Sequence, residues 1–193
     1  MSICSRVLIA AALCLAAGCA PYAPTTVDPK TGRYQTLSEI DKSAYRDYDT
    51  SVDPGRFRFI ALTTSTNVYP GRFEFFVRNA LADLGATRVL NDPELAALVR
   101  MHPKLEGLTS LSDPAAQRRI SETVGPMLVM NVESFATGPS RHLALQVIDA
   151  STGRMLLRID DNKHIWGDAD SEANLPLLNA LRDWYRASAG KAA

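Results

Sequence analysis

Apolar residues crowd into three short runs between Gly125 and Asp160. They fill Pro126-Met-Leu-Val-Met-Asn-Val-Glu-Ser134, return in His142-Leu-Ala-Leu-Gln-Val-Ile-Asp149, and again in Arg154-Met-Leu-Leu-Arg-Ile-Asp160. Such runs, rich in β-branched and aliphatic residues and cut by Gly, Pro, Ser and Asp, predict strands. Leu143, Leu145 and Val147 share one face, and Met155, Leu157 and Ile159 line up likewise on the next strand. The turn Ala150-Ser-Thr-Gly153 puts a glycine where a short hairpin loop needs positive φ.

The preceding segment alternates between the two periods. Phe57-Arg-Phe-Ile-Ala-Leu-Thr63 predicts a strand, followed by a loop through Thr63 to Asn67 and Tyr69-Pro-Gly71. Phe73, Phe76, Val77, Ala80, Leu81 and Leu84 then follow helical spacing, with Glu74, Arg78, Asn79 and Asp83 opposite and Gly85 as the stop. Thr87 to Leu90 is a second short strand. Asp92-Pro93 opens a helix to Met101, although Ala96 to Met101 also suits a strand because Pro103 stops it early. After a loop from Gly107 to Ser112, Asp113-Pro114 starts another helix that ends at Gly125. A last helix begins near Asn174, with Leu178, Leu181, Trp184, Tyr185 and Ser188 on one face and Arg182, Asp183 and Arg186 on the other. This order predicts one α/β domain with a mixed (α+β) sheet of four to five strands, roughly βαβ(α)αβββα, over residues 54–188. Residues 189–193 are expected to fray.

The amino terminus is organised differently. An apolar run from Val7 to Ala17 is too short to span a bilayer but suits the core of a signal peptide over residues 1–18. It ends in Leu15-Ala-Ala-Gly-Cys19, which resembles the lipobox of bacterial lipoproteins, with Ala16 standing where Leu is usual. That resemblance implies cleavage before Cys19 and acylation of Cys19, palmitate included. It also implies retention in the outer membrane, because Ala20 stands where Asp would mark the inner one. The cysteines are Cys4, Cys14 and Cys19, so the mature chain would keep one, and lipidation removes an unpaired thiol that an oxidising compartment would punish. Residues 19–53, with Pro21, Pro24 and Pro29 and no period of either kind, predict a tether. As a free chain of ~34 residues it would span roughly 30–35 Å on average and ~110 Å at full stretch. The tyrosines at 22, 34, 45 and 48 point to its second half lying on the domain surface.

Charge and chemistry exclude more than they assign. Lys plus Arg equal Asp plus Glu at 21 each, so no basic field calls for nucleic acid. The one polar cluster is Asp160, Asp161, His164, Asp168 and Asp170, candidate ligands for a hard divalent cation, but its spacing fails the calcium-loop pattern. His102, His142, Ser134 and Ser140 sit in no catalytic motif, no phosphate loop follows a strand, and no cofactor or enzymatic activity is expected.

Val124-Gly-Pro-Met-Leu-Val-Met-Asn-Val132 leading into Leu145-Gln-Val-Ile-Asp-Ala-Ser-Thr-Gly-Arg-Met-Leu156 resembles a motif of small bacterial envelope lipoproteins: a hydrophobic strand, then an Asp-x-x-Thr-Gly hairpin. That group shares an α/β domain like the TolB amino-terminal domain, the curli-pore lipoprotein and the LpoB-type activators of penicillin-binding proteins, and the likeness spans about Phe57 to Ser188. It implies function through protein contacts, with no shared active site. Val124-Gly-Pro-Met127 departs from the family's frequent Gly-Ala-Asp-Tyr, and no long amphipathic hairpin is inserted, which argues against a secretion pore. The expected function is therefore that of an outer-membrane lipoprotein anchored through Cys19, facing the periplasm and binding an envelope protein or peptidoglycan. The sheet edge and the exposed side of Phe73–Leu84 are the candidate contact surfaces. The alternatives are a periplasmic ligand- or metal-binding protein using residues 160–170, and an accessory lipoprotein of a lipid or lipopolysaccharide export complex.

Overall fold

The computed structural model describes residues 27–190 apart from 37, 68–69, 87 and 165–173. Along these the elements are β1 (Tyr45–Tyr48), β2 (Phe59–Thr66), α1 (Pro70–Ala82), β3 (Val89–Leu90), α2 (Asp92–Arg100), α3 (Pro114–Val124), β4 (Met127–Thr137), β5 (Ser140–Asp149), β6 (Arg154–His164) and α4 (Leu175–Ala189). The strands form one six-stranded mixed sheet in the order β1-β6-β5-β4-β2-β3. β2 runs parallel to both β3 and β4, and the remaining pairs are antiparallel. The α/β class and the element order match the sequence pattern, with one more strand than the expected four to five.

Local chemistry explains the boundaries. The segment from Asp92 is a helix, not a strand, because Asn91 and Glu94 form a reciprocal capping box and Pro93 occupies the first turn. The α3 start is capped by the Asp113 carboxylate, which accepts from the Ala115 N–H at 3.4 Å. β2 reaches Thr66 where a loop from Thr63 was expected, because the threonines are β-branched and pair in register with Asn131 to Ser134 of β4. Asn67 carries that ladder one step further, exchanging two 2.8 Å bonds with the backbone of Ala136. β4 and β5 meet in a tight turn at Gly138-Pro139, so the expected break between them closes to two residues. Gly153, at φ 73, takes the left-handed position of the second hairpin.

The sheet is covered on both faces, but unequally. On one face α1 and α4 bury Ile60, Leu62, Leu128, Met130, Val132, Leu143, Leu145, Val147 and Ile159 beneath Phe73, Val77, Leu178, Leu181 and Trp184. On the other, α2 and α3 bury Phe59, Ala61, Met127 and Val129 beneath Leu95, Leu98, Ile120 and Val124. This second layer covers only one end of the strands. Thr63, Asn131, Glu133, Phe135, His142, Ala144 and Gln146 lie further along the same face and remain half-buried or exposed.

The expected tether is part of the domain from Val27 onward, and the predicted boundary at residue 54 moves accordingly. Val27 bridges to Tyr34. Tyr34, Ile40, Ala44 and Val52 enter the α1–α4 core, and β1 pairs with β6 through Tyr45↔Ile159 and Tyr48↔Leu157. This strap also corrects the reading of α4. Arg182 was expected on a solvent face but is 2% exposed, because the strap lies over that face. The scattered prolines and polar residues hide such a segment from any periodicity, since it packs by a few isolated anchors.

Candidate functional site

Strand register turns the uncovered end of the sheet into three cross-strand rows on one face. Thr63, Asn131, Gln146 and Arg158 form the first, and Ser65, Glu133, Ala144 and Asp160 the second. Phe135, His142 and Asn162 form the third. The rows are laced together. Asn131 Nδ2 donates to Gln146 Oε1 at 3.4 Å, and His142 Nδ1 lies 3.0 Å from Asn162 Oδ1 and 3.7 Å from Asp160 Oδ1. Four strands, β2, β4, β5 and β6, fix these side chains on one platform, which is the usual support for a precise contact surface.

The platform deepens into a trough where the second helical layer begins. A cavity of about 600 Å³ has Ala61, Thr63, Val129 and Asn131 as its floor, α2 from Asp92 to Ala96 as one wall, and Thr109–Ser112 with Gln117 as the other. Its polar groups are mostly hydroxyls and amides. The Asp92 carboxylate at its rim accepts from Thr63 Oγ1 at 3.0 Å. Trough and platform together carry three carboxylates, Asp92, Glu133 and Asp160, against one guanidinium, Arg158. Such a lining suits neutral polar or cationic groups and opposes phosphate or polyanion.

A second cavity, of about 470 Å³, lies on the opposite layer between strap and α4, with Arg33, Glu39, Tyr45, Tyr48 and Asp183 around it. Arg33 is committed there to Glu39 at 3.0 Å and to Asp183 at 3.5 Å. Burial, reinforced by the Asp183 charge, pushes the Tyr45 phenol up to about 12. Burial likewise raises Asp183 against the pull of Arg33. Arg33, Glu39 and Asp183 are thus paired with one another between strap and α4.

The expected acidic loop resolves differently. Asp160 and Asp161 are consecutive on β6 and therefore point to opposite faces. Asp160 joins the platform, whereas Asp161 is buried on the α1–α4 side. His164 ends β6, its backbone paired with Ser140. Asp168 and Asp170 lie outside the described residues, as do Cys19 and the signal peptide. Among the described residues no three His, Cys, Asp or Glu side chains gather as metal ligands. Ser134 is a buried structural group, donating to Asn174 Oδ1 at 2.6 Å. On the outer side of α1, Arg78 is held by Glu74 at 3.3 Å and Glu94 at 2.9 Å, and Phe75 stands 59% exposed. Of the platform residues only His142 and Asp160 stood out in the sequence for their chemistry, and neither as part of a contact surface.

No family model matches the chain, and no curated protein matches it. Solved structures similar to it include the LpoB C-terminal domain from Salmonella enterica, at 18% identity over 55% of this chain and 82% of that one, TM-score 0.41. Another is the lipoprotein GNA1162 from Neisseria meningitidis, at 13% identity over 65% of this chain and 94% of that one, TM-score 0.39. A third is the PelC dodecamer from Paraburkholderia phytofirmans, at 13% identity over 69% of this chain and 88% of that one, TM-score 0.36. The LpoB type is among the α/β domains that the sequence resembles.

Proposed function

We propose that this chain is a non-catalytic lipoprotein of the bacterial outer membrane, anchored through acylated Cys19 and facing the periplasm, whose domain binds an envelope protein through the platform and trough. The lipobox-like Leu15-Ala-Ala-Gly-Cys19 supports the anchor. The observation that carries the binding reading is the uncovered half of the sheet, where register assembles polar and aromatic side chains into rows that no helix covers among the described residues. A sheet face of this kind, rimmed by hydroxyls and carboxylates, meets a protein surface that brings amides, Lys and Arg.

Photo-crosslinking in intact cells tests it. A photoreactive residue at Gln117 or Ser65 is expected to give a discrete partner band, and the same residue at Glu106 none. Reversing charge with Glu133→Arg and Asp160→Arg is expected to weaken that band about tenfold or more, since like charges set across an interface slow association. Equal labelling from Glu106, or bands indifferent to the charge reversal, would reject the platform as the contact surface.

A further inference from the structure

The strap sets how far the domain can stand from its anchor, and the distance is short. Its hold on α4 is made of directional contacts, buried at Asn179 and progressively more exposed towards Arg186. The Tyr34 N–H donates to Asn179 Oδ1 at 2.7 Å, and Asn179 Nδ2 donates back to the Tyr34 carbonyl at 2.9 Å. Arg182 donates from Nε to the Gly32 carbonyl at 2.8 Å and stacks 5.1 Å from the Tyr34 ring. Arg186 donates to the Thr31 carbonyl at 3.0 Å, and Trp184 Nε1 to the Asp49 carbonyl at 2.8 Å. A segment that contributes a sheet strand and several core side chains does not peel away under thermal motion.

The covalent path from Cys19 to Val27 is eight residues, which reach at most about 28 Å. A free tether to residue 53 would have reached ~110 Å. Val27 and Tyr34 lie on the α4 layer, whereas the platform and trough lie on the other side of the sheet. A domain of this size has a radius of gyration of about 15 Å, so the platform stays within ~70 Å of the lipid surface.

From this geometry we infer that the chain acts at the surface of its own membrane, and that the protein bound at the platform is embedded in or attached to that same membrane. The inference rests on the lipid anchor proposed above. A target deeper in the periplasm would lie beyond the leash.

The test compares the full-length lipidated protein with a form carrying a 30-residue Gly/Ser insertion after Ala20. Mass spectrometry of Cys19 comes first: an unacylated cysteine overturns the anchor itself, whereas acylation with the outcomes below judges the leash alone. In vesicles of phosphatidylethanolamine and phosphatidylglycerol, a donor dye at Ser110→Cys is expected to transfer strongly to a headgroup dye, and the insertion to reduce that transfer. Transfer indifferent to the insertion overturns the inference. In cells, the crosslink from Gln117 is expected to fall by up to about tenfold with the longer leash, because effective concentration falls as roughly the −3/2 power of linker length. A crosslink that strengthens on lengthening would place the partner away from the membrane and overturn the inference.

Discussion

At the scale of single residues, the domain depends on a few side chains that complete backbone hydrogen bonds far from them in sequence. The Asn179 amide satisfies both polar groups of buried Tyr34 across 145 positions. Asn179→Leu keeps the branched outline but strands those groups, each worth about 1–3 kcal/mol when buried without a partner. The expected loss is about 2–4 kcal/mol, measured by urea unfolding of the non-lipidated chain from Ala20, against little change for a polar swap at exposed Lys30. Gly125 makes a second demand. It links α3 to β4 at φ 128, ψ 165, a conformation that side-chain-bearing residues rarely adopt, and an added Cβ would meet the Arg58 side chain at 3.0 Å. Gly125→Ala is expected to cost about 1–3 kcal/mol through strain alone, visible as a lower urea midpoint with an unchanged slope.

At the scale of elements, two carboxylates tie turns and helix starts to the sheet, and both are held below the ordinary carboxylate range. The Glu94 carboxylate is lowered by bonds from Arg78 and from the Asn91 N–H, an arrangement that also closes the capping box of α2. Burial raises Asp149, but bonds from the Ser151 hydroxyl and N–H, with Arg56 2.7 Å away, outweigh it and leave the group lowered. A folded pKa below the unfolded value means the unfolded chain binds the proton more readily. Stability from these groups is therefore full above the ordinary carboxylate range and is lost as pH falls through it and then through the folded values. These two groups are expected to leave thermal melts flat from neutral pH down to about pH 5 and to lower them below it, against a smaller opposite pull from the raised Asp183, and Asp149→Asn is expected to flatten part of that acid decline while lowering stability at neutral pH.

The same scale shows what the sequence disclosed. The β5–β6 hairpin, α1 and the α3 start were legible because periodicity, caps and glycine stops agree. The platform was also written there, in a change of pattern that the sequence reading passed over. Met127 to Met130 are apolar at every position, as a strand covered on both faces requires, whereas Asn131 and Glu133, the next two positions on the open face, are polar. β2 changes at the same level, from apolar Phe59-Ile-Ala-Leu62 to hydroxyl-bearing Thr63-Thr-Ser-Thr66. Both changes mark where α2 and α3 stop. The strap was legible only in part: the tyrosines at 34, 45 and 48 pointed to contact with the domain, but Tyr34, Ile40, Ala44 and Val52 follow no period, and Asn179, which holds Tyr34, lies 145 positions away.

At the scale of the whole molecule, the strap makes the amino-terminal and carboxy-terminal segments one structural unit. α4 is amphipathic by sequence, and the strap satisfies much of its polar face, accepting bonds from Asn179, Arg182 and Arg186, while Trp184 reaches the Asp49 carbonyl from the core side. Removing the strap would expose the apolar ends of Tyr34's neighbours and leave buried Arg182 without the Gly32 carbonyl. It would also strip β1 from β6. Burial of a side chain such as Tyr34, Ile40 or Val52 contributes about 1.5–3 kcal/mol each, which together is a large fraction of the 5–15 kcal/mol typical of a domain. A soluble chain beginning at Val27 is thus expected to melt with the same midpoint as one beginning at Ala20. A chain beginning at Pro54 is expected to lose more than about 10 °C, or to stay unfolded, since each kcal/mol shifts the midpoint by about 2–4 °C at this size. Equal midpoints for all three chains would mean that the strap only rests on the surface. The domain would then be free to extend to the full reach of the longer tether, and the short leash would not hold.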